Sequence, residues 1–474
     1  RWAGIHSVAP SPVHFWSSLV TEIMTVSFTG FLCFPKALQV TKEINCVTDY
    51  LKESESQLQR VKRQEKRGLL YGIPVSIKDS INVQGHDSTL GLMKNLNKPA
   101  AEDSVVVQVL KRQGAIPFVK TNVPQTLLSY DCNNLIFGQT VNPLDHTKTP
   151  GGSSGGEGAL ISSRGSILGI GTDVAGSLRI PAAFCGICAF RPTGSRLSKK
   201  GVVTAIPGQK SGPMARDVDS LALCMRALLC EDMFHLDPTV PPMPFNEEVF
   251  SSSQPLRIGY YDTDNFTAPS PSMRRAVLET KQLLEKAGHT VFITVINVFG
   301  LRWAELTNSQ LFSFSKGELE DPNSKELILL CRVPSWLKSL LSWIIKPIVR
   351  FIYQFVTEWR KLDLDVVLCP TLGPAFGLGF PGKVSGASCY NILYNILDFP
   401  AGVVPVTTVS EEDEELLKNY RGYYNDMGDK TFGKVSRVGL PVAVQCVALP
   451  WQDELCLRFM KEVETLAQKR QRNL

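Results

Sequence analysis

Histidine is scarce in this chain, with six in 474 residues. Neither of its two glycine-flanked serine loops contains one, and the nearest, His146, precedes the first loop in a polar, proline-flanked stretch. A nucleophilic serine that depends on an imidazole therefore has little to draw on. Charge of one sign is also wanting. Fifty Lys and Arg against 45 Asp and Glu leave a net charge of +5, too small for this length to argue for nucleic acid. The basic cluster Arg60, Lys62, Arg63, Lys66 and Arg67 reads as a solvated helix end, and the acidic run 411–415 as a solvated loop. The 12 cysteines are scattered rather than clustered, which suits reduced thiols in a cytosolic enzyme. Cys185-x-x-Cys188 lacks a second pair of ligands, so it reads as core packing and not as a zinc site. A long apolar run is missing near the start: 23–34 is too short and too interrupted to span a bilayer. There is no internal repeat and no dividing linker, and 43% apolar residues allow a large core throughout.

What the chain does have is Gly151-Gly152-Ser153-Ser154-Gly155-Gly156, followed by Gly176-Ser177-Leu178-Arg179. Upstream, Lys78 closes the apolar run Val75-Ser76-Ile77. A serine hydroxyl needs a base within hydrogen-bond reach to attack at neutral pH. Lysine serves only when neutral, so its pKa of about 10.4 must be depressed by burial or by nearby positive charge. Lys78 ends what reads as a buried strand, a position that supplies the burial. Ser153, whose hydroxyl both donates and accepts, stands between Lys78 and Ser177 as a two-way proton relay. Ser177 is the nucleophile in this reading. The backbone N–H groups of Val174, Ala175, Gly176 and Ser177 form the oxyanion hole, glycine allowing successive amides to converge. A second reading is open. Gly152-Ser153-Ser154-Gly155-Gly156 fits the G-x-S-x-G elbow, with Ser154 as nucleophile. That elbow requires an acid and then a histidine downstream, where only His235 and His289 occur, and His289 directly follows Gly288 at a helix end.

The joint pattern is more specific than its parts. Gly-Gly-Ser-Ser-Gly-Gly with Gly169-x-Gly171-x-Asp173-x-Ala175-x-Ser177-Leu178-Arg179-x-Pro181 resembles the amidase signature family over its diagnostic length, Ala175 taking a place often held by glycine. Segments 86–92, 129–132, 183–188, 397–406 and 439–447 resemble the animal fatty acid amide hydrolase branch of that family, and the similarity runs over about 37–468. The resemblance implies an amidase domain over 37–474, with 1–36 unassigned, and an α/β fold whose mixed, twisted β-sheet is surrounded by many α-helices. It implies Ser177 as acyl-accepting nucleophile, Ser153 as bridging serine and Lys78 as general base and acid. Asp173 and Arg179 form a buried pair bracing the oxyanion loop, and Leu128 and Tyr130 line a substrate channel. The implied activity is hydrolysis of fatty acid primary amides and N-acylethanolamines, with no metal and no organic cofactor. The implied setting is a homodimer in contact with membrane lipid, on the cytosolic side of endomembranes of the endoplasmic reticulum type, with no nucleic-acid partner. The alternatives are an amidase of other acyl specificity and a catalytically impaired membrane-binding relative.

Alternating strands and helices support a layered α/β fold. Residues 104–113 read as a helix ended by Gly114, then 116–119 as a strand. Residues 271–287 form an amphipathic helix stopped by Gly288, then 290–295 a strand. Residues 365–369 form a short buried strand, and 453–466 a closing amphipathic helix. The segment 334–355 stands apart: Trp336, Trp343, Ile344, Ile348 and Phe355 are interleaved with Lys338, Lys346 and Arg350 and divided by Pro347. A spanning helix would place those cations in hydrocarbon. Two short interfacial helices or a pair of buried core helices both fit the pattern; the family resemblance implies the first, a membrane-binding cap.

Overall fold

The computed structural model of the protein describes residues 28–63, 67–204, 208–265, 267–294, 355–380, 389–423 and 437–472. Eleven strands form one sheet. They are β1 (Val47–Tyr50), β2 (Pro74–Lys78), β3 (Ile116–Thr121), β4 (Leu168–Asp173), β5 (Cys188–Arg191), β6 (Lys210–Ala215), β7 (Arg257–Tyr260), β8 (Thr290–Ile293), β9 (Val366–Pro370), β10 (Ala401–Thr408) and β11 (Pro441–Ala448). Their order across the sheet is β1-β3-β2-β4-β6-β5-β10-β11-β9-β7-β8. β2 runs parallel to both β3 and β4. β9, β7 and β8 run parallel to one another, and the remaining neighbours are antiparallel. The sheet is therefore mixed, as expected.

Every residue of β2, β3, β4, β5, β9 and β11 is buried. Successive side chains of a strand point to opposite faces, so both faces of the sheet are covered. The cover includes α1 (Phe28–Ile44), α2 (Val105–Arg112), α3 (Gly155–Ser162), α4 (Arg179–Cys185), α5 (Val218–Leu228), α6 (Pro271–Lys286), α7 (Cys389–Ile396), α8 (Glu411–Lys418) and α9 (Asp453–Arg472). One hydrophobic cluster runs from Leu51 to Ala467 through strands and helices alike. Cys185 and Cys188 are buried free thiols, and Cys188 belongs to this cluster.

Helix ends follow local chemistry. The Ser104 side chain accepts from Val107 N at the start of α2, and Ser270 accepts from Met273 N at the start of α6. Gly114 and Gly288 follow these helices with φ of +85° and +94°. The acidic run 411–415, expected as a loop, instead opens α8. Ser410 and Asp413 form a reciprocal capping box there, and the acids complement the helix N-terminus. The closing helix runs on to Arg472, past the last apolar position. Its polar continuation, Gln468-Lys469-Arg470-Gln471-Arg472, consists of good helix formers. Segment 334–354 lies outside the described residues. Phe355, at its end, is buried, with its ring 5.8 Å from Trp359 and 6.2 Å from Phe399.

Lys78, Thr121 and Asp173 are the last residues of β2, β3 and β4. They share the carboxyl edge of three adjacent parallel strands, the edge at which α/β sheets form their clefts. α3 meets this edge closely: a Cβ at Gly156 would lie 2.4 Å from Asn122 N and 2.7 Å from the Cys46 carbonyl oxygen. Gly156→Ala should therefore push α3 off the sheet and cost about 1–3 kcal/mol. A lowered urea midpoint checks this, and an unchanged one would show that the helix seats with slack.

Candidate active site

Gly169, Gly171 and Asp173 alternate along β4 and so face one side of the sheet. A Cβ at Gly169 would lie 2.0 Å from Glu157 Oε2, and one at Gly171 would lie 2.7 Å from Ser154 Oγ. The two glycines hollow out the strand, and the start of α3 with its preceding serines fills the hollow. Ser154 is used up in this seating. Its hydroxyl donates to the Thr172 carbonyl at 3.2 Å and accepts from Thr172 N at 3.3 Å. Its amide donates to the Ser177 carbonyl at 3.1 Å and so ties the two serine loops together.

Lys78 is fully buried at the end of β2. Its Nζ donates to Ser153 Oγ at 2.7 Å and to the Thr172 carbonyl at 3.3 Å. Burial pulls its pKa down from the usual lysine value to about 7, against the opposing pull of Asp173, Glu157 and Asp79. A neutral amine is thereby accessible near neutrality, one hydrogen bond from a serine. Ser177 is 4% exposed, and among the described residues no hydrogen bond restrains its hydroxyl. The structure thus joins Lys78 to Ser153 directly, and joins the Ser153 loop to the Ser177 loop through the backbone.

A buried ion pair flanks the Ser177 loop. Arg179 donates from Nε to Asp173 Oδ2 at 3.0 Å and from Nη2 to Oδ1 at 3.1 Å. Asp173 also accepts from Gly176 N at 2.7 Å, Leu178 N at 3.2 Å and Asn395 Nδ2 at 2.8 Å. Burial alone would raise this carboxyl's pKa. Arg179 and these donors outweigh burial and hold it well below the usual carboxylate range. The other guanidinium nitrogen donates to Gln445 Oε1 at 2.6 Å and to the Asn391 carbonyl at 3.0 Å. Two late segments of the chain, α7 and β11, therefore grip the Ser177 loop.

One expectation needs correction. The Gly176 amide, placed in the oxyanion hole from the sequence, is engaged by Asp173 at 2.7 Å, because its φ of +112° turns the loop back on the carboxylate. The amides of Ala175 and Ser177 have no protein partner among the described residues and are free to meet an oxyanion; Val174, at the head of the loop, is half-buried. Tyr130 is half-buried beside the first serine loop, its Cα 3.2 Å from where a Gly152 Cβ would stand. Leu128, two residues earlier, is also half-buried. The described histidines stand elsewhere. His86 lies between Asp49 and Glu53 at 2.6 and 2.7 Å, His146 and His235 are exposed, and the His289 ring accepts from Leu256 N. The Ser154 elbow thus has neither a base nor a free hydroxyl among the described residues. Sequence reasoning missed Glu157, Asn391, Asn395 and Gln445. Glu157 directly follows the glycine-serine run, so its position was visible and its burial was not.

A profile of the family described as Amidase matches residues 32–457. The fatty-acid amide hydrolase 1 of Sus scrofa is 53% identical over 477 residues, covering 92% of this chain and 82% of that protein. The vitamin D3 hydroxylase-associated protein of Gallus gallus is 56% identical over 344 residues, covering 70% and 73%. In fold, the chain is similar to a solved fatty acid amide hydrolase with a TM-score of 0.74 at 24% identity, covering 97% of this chain and 87% of the other.

Arg179→Met leaves the Asp173 carboxylate buried without its countercharge, so unfolding free energy should fall by about 3–5 kcal/mol. Because the native Asp173 pKa is depressed, the pair's contribution is complete above the unfolded carboxylate pKa of about 3.9 and is lost as pH falls through the native value. The gap between parent and variant in urea melts should therefore narrow in acid. A gap that persists unchanged at low pH would assign the loss to packing alone.

Proposed function

The chain belongs to the amidase signature family and is an amidohydrolase, and on that premise we propose that it cleaves fatty acid amides by a Ser-Ser-Lys mechanism. The contact between buried Lys78 and Ser153 Oγ, 2.7 Å long, carries this reading. Neutral Lys78 takes the Ser153 proton as Ser153 takes that of Ser177, whose oxygen attacks the amide carbonyl. The oxyanion forms against the free amides of Ala175 and Ser177. Lys78, now protonated, returns the proton through Ser153 to the nitrogen, the C–N bond breaks and the amine leaves an acyl-Ser177. Water then attacks with the same relay in the same direction, releasing the fatty acid and restoring Ser177.

The names of the relatives support a fatty acyl substrate, either an N-acylethanolamine or a primary amide. The amphipathic pattern of 334–355 supports delivery from membrane lipid, as an interfacial cap on cytosol-facing endomembranes. A homodimer with both caps on one face fits that arrangement.

A fluorophosphonate should label Ser177 in peptide mapping; an adduct on Ser154 would establish the elbow instead. With Lys78 near 7, kcat/KM should rise with pH through about 7 and then level off, as the amine loses its proton. Lys78→Ala should flatten that limb and lower amide hydrolysis by ~10²–10⁴, more than ester hydrolysis, because an amide nitrogen must be protonated to leave. An unchanged limb would remove Lys78 from the mechanism.

The cap is tested by Trp343→Ser, Ile344→Ser and Ile348→Ser together. Each apolar side chain contributes about 1.5–3 kcal/mol on burial, so flotation with liposomes should weaken while the melting temperature holds. A sharp fall in melting temperature with unaltered flotation would make the segment core.

A further inference from the structure

The catalytic reading uses Lys78, Ser153 and Ser177 and leaves one buried acid beside them unexplained. Glu157 is 0% exposed and is the third residue of α3, four residues after Ser153. Its Oε2 lies 2.5 Å from Ser76 Oγ, and its Oε1 lies 2.9 Å from Thr121 Oγ1. Ser76 is two residues before Lys78 on β2 and so shares its face; Thr121 is the direct register partner of Lys78 on β3. Gly169 is the register partner of Ser76 on β4, and the carboxylate fills the place of its missing side chain. Three strands and one helix thus build a seat for this carboxylate next to Lys78.

The seat accommodates both protonation states. When Glu157 is ionised, the Ser76 and Thr121 hydroxyls both donate to it, and Ser166 donates to the Leu168 carbonyl at 2.8 Å. When Glu157 is protonated, it donates to Ser76. Ser76 then turns to Ser166 Oγ at 3.0 Å, and Ser166 still donates to Leu168. A proton can be gained or lost here without leaving Glu157, Ser76 or Ser166 unpaired.

We propose that Glu157 is a positioning residue that sets the proton affinity of Lys78, its charge helping to hold the proton that Lys78 must deliver to the leaving amine. This rests on the reading of Lys78 as base and acid. Burial drives Lys78 down to about 7 and Glu157 up to about 7, and each opposes the shift of the other. Two groups so placed titrate as a pair. The other groups facing Lys78 are Asp173, Asp79 and Cys132, and Cys46 faces Glu157. Asp173 is held ionised by Arg179. Asp79 is raised by burial, opposed by Lys120 and by hydrogen bonds from Leu90 N and Thr89. Both thiols are pushed up to about 12 and stay neutral.

The test compares the pH dependence of kcat/KM for an amide and the matching ester in the full-length parent, Glu157→Gln, Ser76→Ala and Lys78→Ala. Glutamine reproduces the hydrogen bonds of the protonated acid without its charge. With a negative neighbour removed, Lys78 binds its proton less tightly. The acid limb of Glu157→Gln should move about 1 pH unit or more lower, and the amide-to-ester rate ratio should fall with it. Ser76→Ala removes a donor to the ionised carboxylate, raises the Glu157 pKa and should move the limb the same way by less. A purely structural Glu157 would lower the rate uniformly with the limb in place, and that result overturns the proposal. If Glu157→Gln does not fold, an unmoved limb in Ser76→Ala overturns it equally. Lys78→Ala separates the two ideas: a limb that survives in Lys78→Ala defeats the base assignment. A limb that vanishes there but stays fixed in Glu157→Gln defeats only the role of Glu157.

Discussion

A carboxylate that water cannot reach holds the Ser177 loop in shape. Asp173 ends a central strand, and its two oxygens take five donors: two from Arg179, one from Asn395 and the amides of Gly176 and Leu178. The amides on either side of Ser177 are thereby turned inward to the carboxylate, while those of Ala175 and Ser177 itself are left facing away from it. The loop needs a full negative charge at this point, because neutral acceptors would not gather so many donors in so short a stretch. That charge is tolerable in the interior only with Arg179 beside it.

The same economy of space governs Lys78, the proposed base. Lys78 is a poor surface lysine and a good buried one. It ends a strand whose every residue is covered. The hollow at Gly169 and Gly171 lets α3 descend far enough to bring Ser153 to the amine and Ser154 to the Thr172 backbone. Larger residues at either glycine would lift the helix and draw Ser153 away from Lys78.

Much of this was legible in the sequence, for physical reasons that can be named. Helix ends at Ser104, Gly114, Ser270 and Gly288 announce themselves through short-range capping. Lys78, Ser153, Ser177, Asp173 and Arg179 lie within about one hundred residues in motifs whose glycines mark tight backbone, so their association could be read. The errors fell where the outcome depends on a partner far away or on competition for one donor. The acidic run at 411 looked like a loop because charge was weighed and the Ser410–Asp413 cap was not. Gly176 looked like an oxyanion donor because its flexibility was visible and the claim of Asp173 on its amide was not. Asn391, Asn395 and Gln445 carry ordinary side chains in ordinary contexts, and nothing local reveals that Arg179 will reach them.

That reach has a consequence for how the protein is made. Arg179 is separated from its contact at Asn391 by 212 residues and from Gln445 by 266. Every residue proposed to perform the chemistry leaves the ribosome long before the clamp that shapes the serine loop. A nascent chain therefore carries Lys78, Ser153 and Ser177 before the contacts that shape the Ser177 loop exist. Shaping of the Ser177 loop waits on segments made 212 and 266 residues after Arg179.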